Sequence, residues 1–486
     1  MTSIAPIKPV IIIGAGFGGV GMAIRLKQAG INDVTLLDRA TGPGGVWQAN
    51  RYPGAACDVE SHLYSFSFAT NFDWAGTLGT REEILAYFDH CIDYFGIADR
   101  IRYNQEVRTA AYDEANGAWS VTLASGEVIT ARSVVSACGL FNTPSIPEFP
   151  GAERFLGVAF HSAEWKTDFD PRGRKIAVIG TGCSAAQFVP AIVNDAETIT
   201  IFQRTPAFIN PRGPRPFTPL QRWVYRTFPA LRKVDRYRIY SDLEKKFTLQ
   251  LDPEAQARRL EASRAFVARE IQDPEKRAKL LPTTQAGCKR NINSSLFVKV
   301  LNRDDVEVVT EPIRRIHPQG IETPDGRIRE FDAIIYGTGF TASDYLSTVD
   351  FRGIDGQSLH EAWREGAEAY LGISVSGFPN LFLIYGPNTN SPGSIVFMIE
   401  CQIQYIVQGI QMMLRDRIRR FEVRAAVQAV YNAGLQQTLR STSWASGCTS
   451  YFMNKAGRIV TQFPGQASRY STLTRRLKTQ DYIKEP

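Results

Sequence analysis

The chain has 486 residues and a net charge of +7, with 44% hydrophobic and 22% charged residues, values that fit a globular protein of two or three domains. No run of about 18 apolar residues predicts a membrane-spanning helix, and the first ten residues lack the pattern of a secretory signal. The seven cysteines are scattered and form no CxxC pair, which predicts a cytoplasmic protein with reduced thiols, no disulfide and no metal site.

The first recognisable pattern is a dinucleotide-binding unit. Residues 10–13 are predicted to form a buried strand, and Gly14-Ala-Gly-Phe-Gly-Gly19 then leads into an apolar helix. Such glycines permit a tight turn, a close approach of backbone N–H groups to a pyrophosphate, and close packing of helix and strand. A second strand, residues 34–38, ends at Asp38, whose carboxylate can bind the ribose hydroxyls of FAD or NAD.

A second unit of the same kind follows a proline-rich segment. Prolines at 144, 147 and 150 predict a linker between domains. Residues 176–179 and Gly180-Thr-Gly-Cys-Ser-Ala185 repeat the strand, glycine motif and helix. The next strand, residues 198–202, is followed by Arg204 and Thr205 rather than by an acid. A guanidinium at this position can pair with a 2′-phosphate, which predicts a preference for NADPH over NADH.

These patterns predict an α/β fold with two Rossmann-like dinucleotide-binding domains. We expect residues 1–145 and 335–486 to form a discontinuous FAD-binding domain and residues 152–334 to form the NADP-binding domain. Residues 212–282 are helical in pattern and rich in Arg, Lys and Glu, so we expect a helical insertion within the NADP-binding domain.

Two dinucleotide units in one chain are typical of flavoenzymes that accept hydride from a nicotinamide. Thiol–disulfide reductases share this plan, but they need two neighbouring cysteines beside the flavin. Here Trp47 stands where a redox cysteine is expected, and Cys57 is alone in this stretch. The sequence therefore argues against a disulfide reductase.

Several further stretches resemble the flavin-dependent class B monooxygenases, and most of all their type I Baeyer–Villiger branch. Residues 155–165 match the branch fingerprint FxGxxxHxxxW, although Lys166 departs from the residue that usually follows. Trp165 favours this branch over relatives that oxygenate nitrogen or sulfur. Other stretches similar to the family are Asn50-Arg-Tyr-Pro-Gly-Ala-Ala-Cys-Asp-Val-Glu-Ser61, Ala137-Cys-Gly-Leu-Phe-Asn142, Gly287-Cys-Lys-Arg290, Gly337-Thr-Gly-Phe340 and Tyr385-Gly-Pro-Asn-Thr-Asn-Ser-Pro-Gly393.

The resemblance implies roles for individual residues. Arg290 would favour a peroxide anion on the flavin and stabilise the anionic ketone adduct, and Asp58 would hold Arg290 in place. Lys289 would contact the 2′-phosphate of NADP, whereas His161 would order the linker rather than transfer protons. The implied cofactor-binding residues are Gly14, Gly16, Phe17, Gly19, Asp38, Arg39, Gly45, Val46, Trp47, Asp58, Tyr64, Val107, Gly180, Thr181, Gly182, Ser184, Ala185, Gln187, Arg204, Thr205, Lys289, Arg290 and Trp444.

The implied reaction is an NADPH- and O2-dependent insertion of one oxygen next to a ketone carbonyl, which gives an ester or lactone through a flavin C4a-peroxide. The alternatives are a sulfur- or nitrogen-oxygenating relative, an NADPH oxidase or quinone reductase, and a flavin-binding protein without enzymatic activity. The expected partners are a small ketone and O2, without nucleic acid or an integral membrane segment. We expect a monomer or a homodimer.

Overall fold

The computed structural model describes residues 7–248, 252–391, 393–447 and 450–486. Within these residues the strands are β1 (Lys8–Ile13), β2 (Val34–Leu37), β3 (Ala56–Glu60), β4 (Leu78–Thr80), β5 (Ile101–Arg102), β6 (Val107–Asp113), β7 (Ala118–Leu123), β8 (Val128–Ser136), β9 (Val158–His161), β10 (Lys175–Ile179), β11 (Thr198–Phe202), β12 (Ile209–Asn210), β13 (Ile292–Asn293), β14 (Val306–Val309), β15 (Arg315–His317), β16 (Gly320–Glu322), β17 (Ile328–Glu330), β18 (Ala333–Tyr336), β19 (Asp350–Arg352), β20 (Leu381–Leu383), β21 (Arg420–Val423) and β22 (Tyr482–Glu485).

The α-helices of the same residues are α1 (Phe17–Gln28), α2 (Val46–Ala49), α3 (Arg81–Phe95), α4 (Ala185–Ile192), α5 (Pro219–Thr227), α6 (Pro229–Thr248), α7 (Pro253–Glu270), α8 (Pro274–Leu280), α9 (Ser295–Leu301), α10 (Leu359–Ala362), α11 (Ile395–Arg415), α12 (Ala425–Leu439) and α13 (Ala467–Thr474). None of the helices within the described ranges is both long and apolar enough to cross a membrane.

Two sheets organise the molecule. The larger sheet has the order β19-β6-β7-β8-β1-β2-β5, and β20 pairs with β8. Strand β1 runs parallel to both β2 and β8. Its residues Val10, Ile11 and Ile12 are fully buried, as expected of a parallel strand that is covered on both faces. Helix α1 packs between this sheet and α11.

The smaller sheet is parallel throughout, with the order β14-β11-β10-β18-β9. Strand β18 pairs with β10 up to Tyr336, two residues beyond residue 334, where we expected the NADP-binding domain to end. Strands β19 and β20 return to the larger sheet. The predicted α/β fold with two Rossmann-like units is confirmed.

The two units are built alike around their first glycine. The N–H of Gly14 donates to the carbonyl of Leu37 at 2.8 Å, and the N–H of Gly180 donates to the carbonyl of Phe202 at 3.0 Å. The residue after Leu37 is Asp38, and the residue after Phe202 is Gln203. The acid of the first unit is therefore replaced by an amide at the equivalent place in the second.

Helices α5 to α8 lie within the segment where a helical insertion was predicted, and they contact both units. On α6, Arg236 donates to the carbonyls of His62, Leu63 and Ser65 beside the larger sheet. On α7, the hydroxyl of Ser263 donates to the carbonyl of Ile209 at 2.8 Å, beside the smaller sheet. The insertion therefore bridges the two halves of the molecule.

The cysteines differ from the sequence prediction at one position. Cys288 is disulfide-bonded, so the expectation of reduced thiols throughout is wrong there. Spacing along the chain does not reveal which sulfur atoms come within bonding distance after folding. Among the described residues, the free thiols are Cys57, Cys91, Cys138, Cys183 and Cys401.

Candidate active site

One large cavity lies between the two glycine motifs. Its volume is about 2290 Å³, well above the roughly 300–1,000 Å³ of a pocket for a single drug-sized ligand. Among the described residues that the sequence assigned to cofactor binding or catalysis, all except Gly19 and Ala185 line it. The cavity therefore has room for more than one ligand between the two units.

The first glycine motif forms a cradle at the start of α1. Gly14 has a φ of +103°, and a Cβ added to it would lie 2.6 Å from the carbonyl oxygen of Ala137. Gly16 and Gly45 face each other so closely that a Cβ on Gly45 would lie 3.1 Å from the Cα of Gly16. No side chain caps the N-terminus of α1, so its first N–H groups can bind a pyrophosphate.

Asp38 stands beside this cradle and is held by the backbone. It accepts hydrogen bonds from the N–H of Ala15 at 2.5 Å and from the N–H of Ala40 at 2.7 Å. Each carboxylate oxygen has a further lone pair, and the residue lines the cavity. The cradle and this carboxylate fit the diphosphate and adenosine ribose of FAD.

Gly19 and Ala185 have a packing role instead. A Cβ on Gly19 would lie only 1.8 Å from the carbonyl oxygen of Gly14, so α1 can approach β1 only with glycine at this position. Ala185 is fully buried at the start of α4, where a Cβ on Gly337 would lie 3.3 Å from the Ala185 Cβ. Both small residues set the distance between helix and strand.

The second cradle carries positive charge. Gly180 has a φ of +105°, and a Cβ on it would lie 2.6 Å from the carbonyl oxygen of Gly337. Burial, and next the nearby charge of Arg204, lower the pKa of Lys289. Two cations held close together repel each other, and a bound dianion relieves that repulsion. Arg204, Lys289 and Thr205 therefore fit the 2′-phosphate of NADPH.

Arg290 and Asp58 form an ion pair in the wall of the cavity. The Nη2 atom of Arg290 lies 3.1 Å and 3.0 Å from the two carboxylate oxygens of Asp58. Asp58 raises the pKa of Arg290 above its usual range. Burial alone would raise the pKa of Asp58, but the Arg290 guanidinium holds it below its usual value. The pair joins residues 232 positions apart and keeps a permanent cation at the cavity surface.

A glutamine on α4 ties the second unit to the segment that leads to Asp58. The Tyr52 hydroxyl donates to Oε1 of Gln187 at 3.0 Å, and Nε2 of Gln187 donates to the carbonyl of Ala56 at 2.8 Å. Burial raises the pKa of Tyr52 to about 12, so its hydroxyl stays protonated and can donate. The position of α4 and that of Asp58 are thereby linked.

Tyr52 and Tyr451 are site residues that the sequence analysis did not single out. Tyr451 lines the cavity. Burial raises its pKa, and the neighbouring Arg290 partly offsets the rise. No local pattern marks Tyr451, because only the fold brings it beside Arg290. Tyr52 could have been found, since it lies in the stretch that resembles the family.

Aromatic side chains line the cavity beside the first glycine motif. The Trp47 indole donates to the Tyr64 hydroxyl at 3.1 Å, and the rings of Phe17 and Tyr64 are 5.1 Å apart, edge to face. Val107, at the start of β6, and Trp444 are buried and line the same cavity. These side chains offer apolar walls around a few polar groups, the usual make-up of a cofactor site.

His161 and Trp165 of the fingerprint are not among the residues that line the cavity. His161 is fully buried, and its Nδ1 atom accepts from the N–H of Ala163 at 3.1 Å. Burial lowers its pKa, which favours the neutral ring. Trp165 packs against Phe160 and Phe188, with ring centroids 5.1 Å and 5.4 Å apart. Their position is structural and agrees with the expectation for His161.

Comparisons with known proteins identify a matching family model, related sequences and similar solved structures. Residues 11–246 match the family model described as pyridine nucleotide-disulphide oxidoreductase. A Baeyer–Villiger monooxygenase of Pseudomonas aeruginosa is 40% identical over 97% of this chain and 90% of its own length. Cyclohexanone monooxygenase from Rhodococcus sp. Phi1, solved with NADP⁺, has a TM-score of 0.90 at 29% identity over 99% of both chains. A structure of OTEMO with FAD and NADP has a TM-score of 0.90 at 26% identity over 99% of this chain and 100% of that chain.

Proposed function

Because the chain belongs to the Baeyer–Villiger monooxygenase family, and is therefore an FAD-dependent NADPH monooxygenase, we propose that it inserts one oxygen atom from O2 next to the carbonyl of a ketone. The product is an ester or a lactone. The observation that carries this proposal is the Arg290–Asp58 ion pair, which stands in the cavity between the two glycine cradles.

The two cofactors would be held by different units. The cradle of Gly14, Gly16 and Gly45 would bind FAD with Asp38, and the cradle of Gly180 and Gly182 would bind NADPH with Arg204 and Lys289. We accordingly assign residues 1–145 and 335–486 to FAD binding and residues 152–334, with the insertion 212–282, to NADP binding. Bound FAD supplies the capacity to accept hydride from NADPH and to activate O2.

Arg290 would act on the charge that develops during oxygen transfer. Its guanidinium holds its proton firmly, because Asp58 raises the pKa of Arg290 above the usual range, and it lines the cavity. A fixed cation there stabilises negative charge on a reacting oxygen and disfavours its protonation. That preference suits attack on a carbonyl carbon, whereas oxygenation of sulfur or nitrogen needs an electrophilic, protonated oxygen donor.

Asp58 would orient Arg290 and balance its charge in the wall of the cavity. Through their hydrogen bonds, Gln187 and Tyr52 would couple the position of Asp58 to that of the NADP-binding unit. The aromatic wall of Trp47 and Tyr64 would exclude water from the reacting atoms.

Product analysis tests the proposal. The purified protein is supplied with FAD, NADPH and air, together with cyclohexanone, phenylacetone, 2-octanone or thioanisole, and the products are identified by gas chromatography. We expect an ester or lactone from at least one ketone, formed in proportion to NADPH consumed. Sulfoxide from thioanisole with no ester from any ketone would contradict the proposal, as would NADPH consumption that yields only hydrogen peroxide.

A further inference from the structure

The helical insertion carries an exposed apolar surface that the proposed reaction does not use. Fifteen large apolar side chains are exposed among the described residues, and six of them lie within 18 consecutive positions of α5 and α6. We call these six the α5–α6 face: Leu220, Trp223, Phe228, Leu231, Val234 and Tyr237. Their exposed fractions run from 42% to 70%, so the face is a concentrated apolar surface rather than scattered single residues.

The geometry of each helix turns these side chains outward together. At 100° per residue, Leu231, Val234 and Tyr237 lie on the side of α6 opposite to the buried Arg232 and Ile239. On α5, Leu220 and Trp223 share one side. The rings of Trp223 and Phe228 lie 6.2 Å apart, edge to face, which connects the apolar side of α5 to the residue directly before α6.

The opposite side of α6 is fastened to the larger sheet's half of the molecule. Arg232 donates to the carbonyl of Thr70 at 2.9 Å, and Arg236 forms an ion pair with Glu400 at 3.3 Å. Further along α6, the rings of Tyr240 and Phe397 are 4.9 Å apart. These contacts hold α6 firmly, so the α5–α6 face is presented as a fixed surface.

The same segment contains the whole charge excess of the chain. Residues 212–246 include ten Arg or Lys and three Asp or Glu, a net charge of +7 that equals the net charge of all 486 residues. Not all of these cations face outward, since Arg232 is buried. The exposed ones are Arg215, Arg226, Lys233, Arg238, Lys245 and Lys246, of which Arg226 and Arg238 also form ion pairs within the chain.

We propose that the α5–α6 face docks on the surface of a membrane that contains anionic phospholipids. Exposed Trp, Phe, Leu and Val side chains bordered by Arg and Lys are the composition that binds in the interfacial layer, with apolar groups among the acyl chains and cations at the phosphates. A second copy of the chain is a poorer occupant, because a twofold interface would set the same positive surface against itself.

The position of the α5–α6 face relative to the cavity indicates what membrane docking would achieve. Leu243 lies on α6 and also lines the cavity, so the helix that would rest on the lipid borders the reaction space. Apolar ketones partition into membranes, and a docked enzyme would meet them there. The docking itself does not depend on the proposed reaction.

Vesicle flotation with the full-length, FAD-loaded protein tests the docking. We expect binding to phosphatidylcholine vesicles that contain phosphatidylserine, and clearly less binding to pure phosphatidylcholine. Binding should weaken between about 0.1 M and 1 M NaCl, because the Debye length falls from roughly 10 Å to 3 Å. Protein that stays unbound with both kinds of vesicle would overturn the proposal.

Two triple variants separate the α5–α6 face from general surface hydrophobicity. The variant Trp223→Ser/Phe228→Ser/Val234→Ser should lose more than about tenfold of its vesicle affinity, since affinity scales with buried apolar area. The control Tyr94→Ser/Leu156→Ser/Val430→Ser removes side chains that are at least as exposed and should bind like the unmodified protein. FAD content and thermal midpoint report whether each variant is folded.

A charge variant and a sedimentation measurement complete the test. Lys233→Glu should weaken binding by about fivefold or more, as expected from roughly 1 kcal/mol per cation near an anionic surface, whereas Arg154→Glu, a change at another exposed cation, should not. Unchanged binding of the first triple variant would overturn the proposal. So would a dimer of the unmodified protein that dissociates in this variant without any vesicle binding, because the face would then join two copies of the chain.

Discussion

At the scale of single residues, the ion pair between Arg290 and Asp58 is the feature on which the proposed chemistry depends. Arg290 lowers the pKa of Asp58, and Asp58 raises the pKa of Arg290, so each group favours the charged form of the other. The pair therefore supplies a cation of fixed position. Lys289 differs from it, because burial and the Arg204 charge lower its pKa.

Replacing Arg290 tests its role in oxygen transfer. Arg290→Ala should retain FAD and accept hydride from NADPH, but it should lose at least about 10²–10³-fold in the rate of ester formation, the usual effect of removing a group that stabilises an oxyanion. Arg290→Lys should recover only part of this rate, since an ammonium group lacks the planar fork of a guanidinium.

The measurements are flavin absorbance during anaerobic addition of NADPH and ester yield in air. Arg108→Ala is a matched control, because this arginine is exposed and is not among the residues that line the cavity. Normal ester yield from Arg290→Ala would refute the role given to Arg290.

The lowered pKa of Lys289 predicts a pH dependence of NADPH use. Lys289 loses its proton, and with it the attraction for the 2′-phosphate, at a pH below the usual lysine value of 10.5. The kcat/KM for NADPH reports groups of the free enzyme, so it should fall as the pH rises through this pKa. Lys289→Arg should extend the plateau to higher pH. NADH lacks the 2′-phosphate, and an equal alkaline fall in the kcat/KM for NADH would show that Lys289 is not the cause.

At the scale of elements, two glycine motifs place the N-termini of α1 and α4 at one cavity. The first glycines of the two motifs have nearly the same φ, +103° and +105°. In both, a backbone carbonyl oxygen lies where a side chain would otherwise stand. The repeat explains how one chain binds two dinucleotides with the same local geometry. We attribute the difference in preference to Asp38 in one unit and to Arg204 with Lys289 in the other.

Gly19→Ala tests the packing of α1 on the first strand. The added methyl would meet the Gly14 carbonyl oxygen at 1.8 Å, so the cradle must open and FAD content and thermal midpoint should both fall. In Gly434→Ala, the new methyl meets no atom within 4 Å. That exposed position in α12 should gain about 0.5–1 kcal/mol in the free energy of unfolding, because alanine suits a helix better than glycine. Full FAD content in Gly19→Ala would contradict the packing role.

The sequence predicts elements well where a pattern is local. The strands at residues 10–13, 34–38, 176–179 and 198–202 all occur within two residues of the structure's bounds, because the apolar runs and glycine turns are contiguous. Contacts between segments that are far apart in the sequence were harder to predict. Asp58 and Arg290 came together through a resemblance rather than a pattern, whereas Tyr451 and the bonding of Cys288 depend on the tertiary fold alone.

At the scale of the whole molecule, the cavity is shared by two units and bordered by the insertion. Gln187 links α4 to the segment that leads to Asp58, and α6 is fastened beside the larger sheet. If the nicotinamide changes position between hydride transfer and oxygen transfer, movement of the unit that carries α4 would shift Asp58. The hydrogen bonds of Gln187 give that coupling a defined route.

The most direct test of the central claim is to follow labelled oxygen through a single reaction. The protein is supplied with FAD, NADPH, oxygen-18 gas and the ketone that gives the best yield, and the ester is analysed by mass spectrometry. We predict one labelled oxygen atom per ester molecule and one ester per NADPH oxidised. Labelled hydrogen peroxide without labelled ester, or an ester oxygen that comes from water, would contradict the assignment as a ketone monooxygenase.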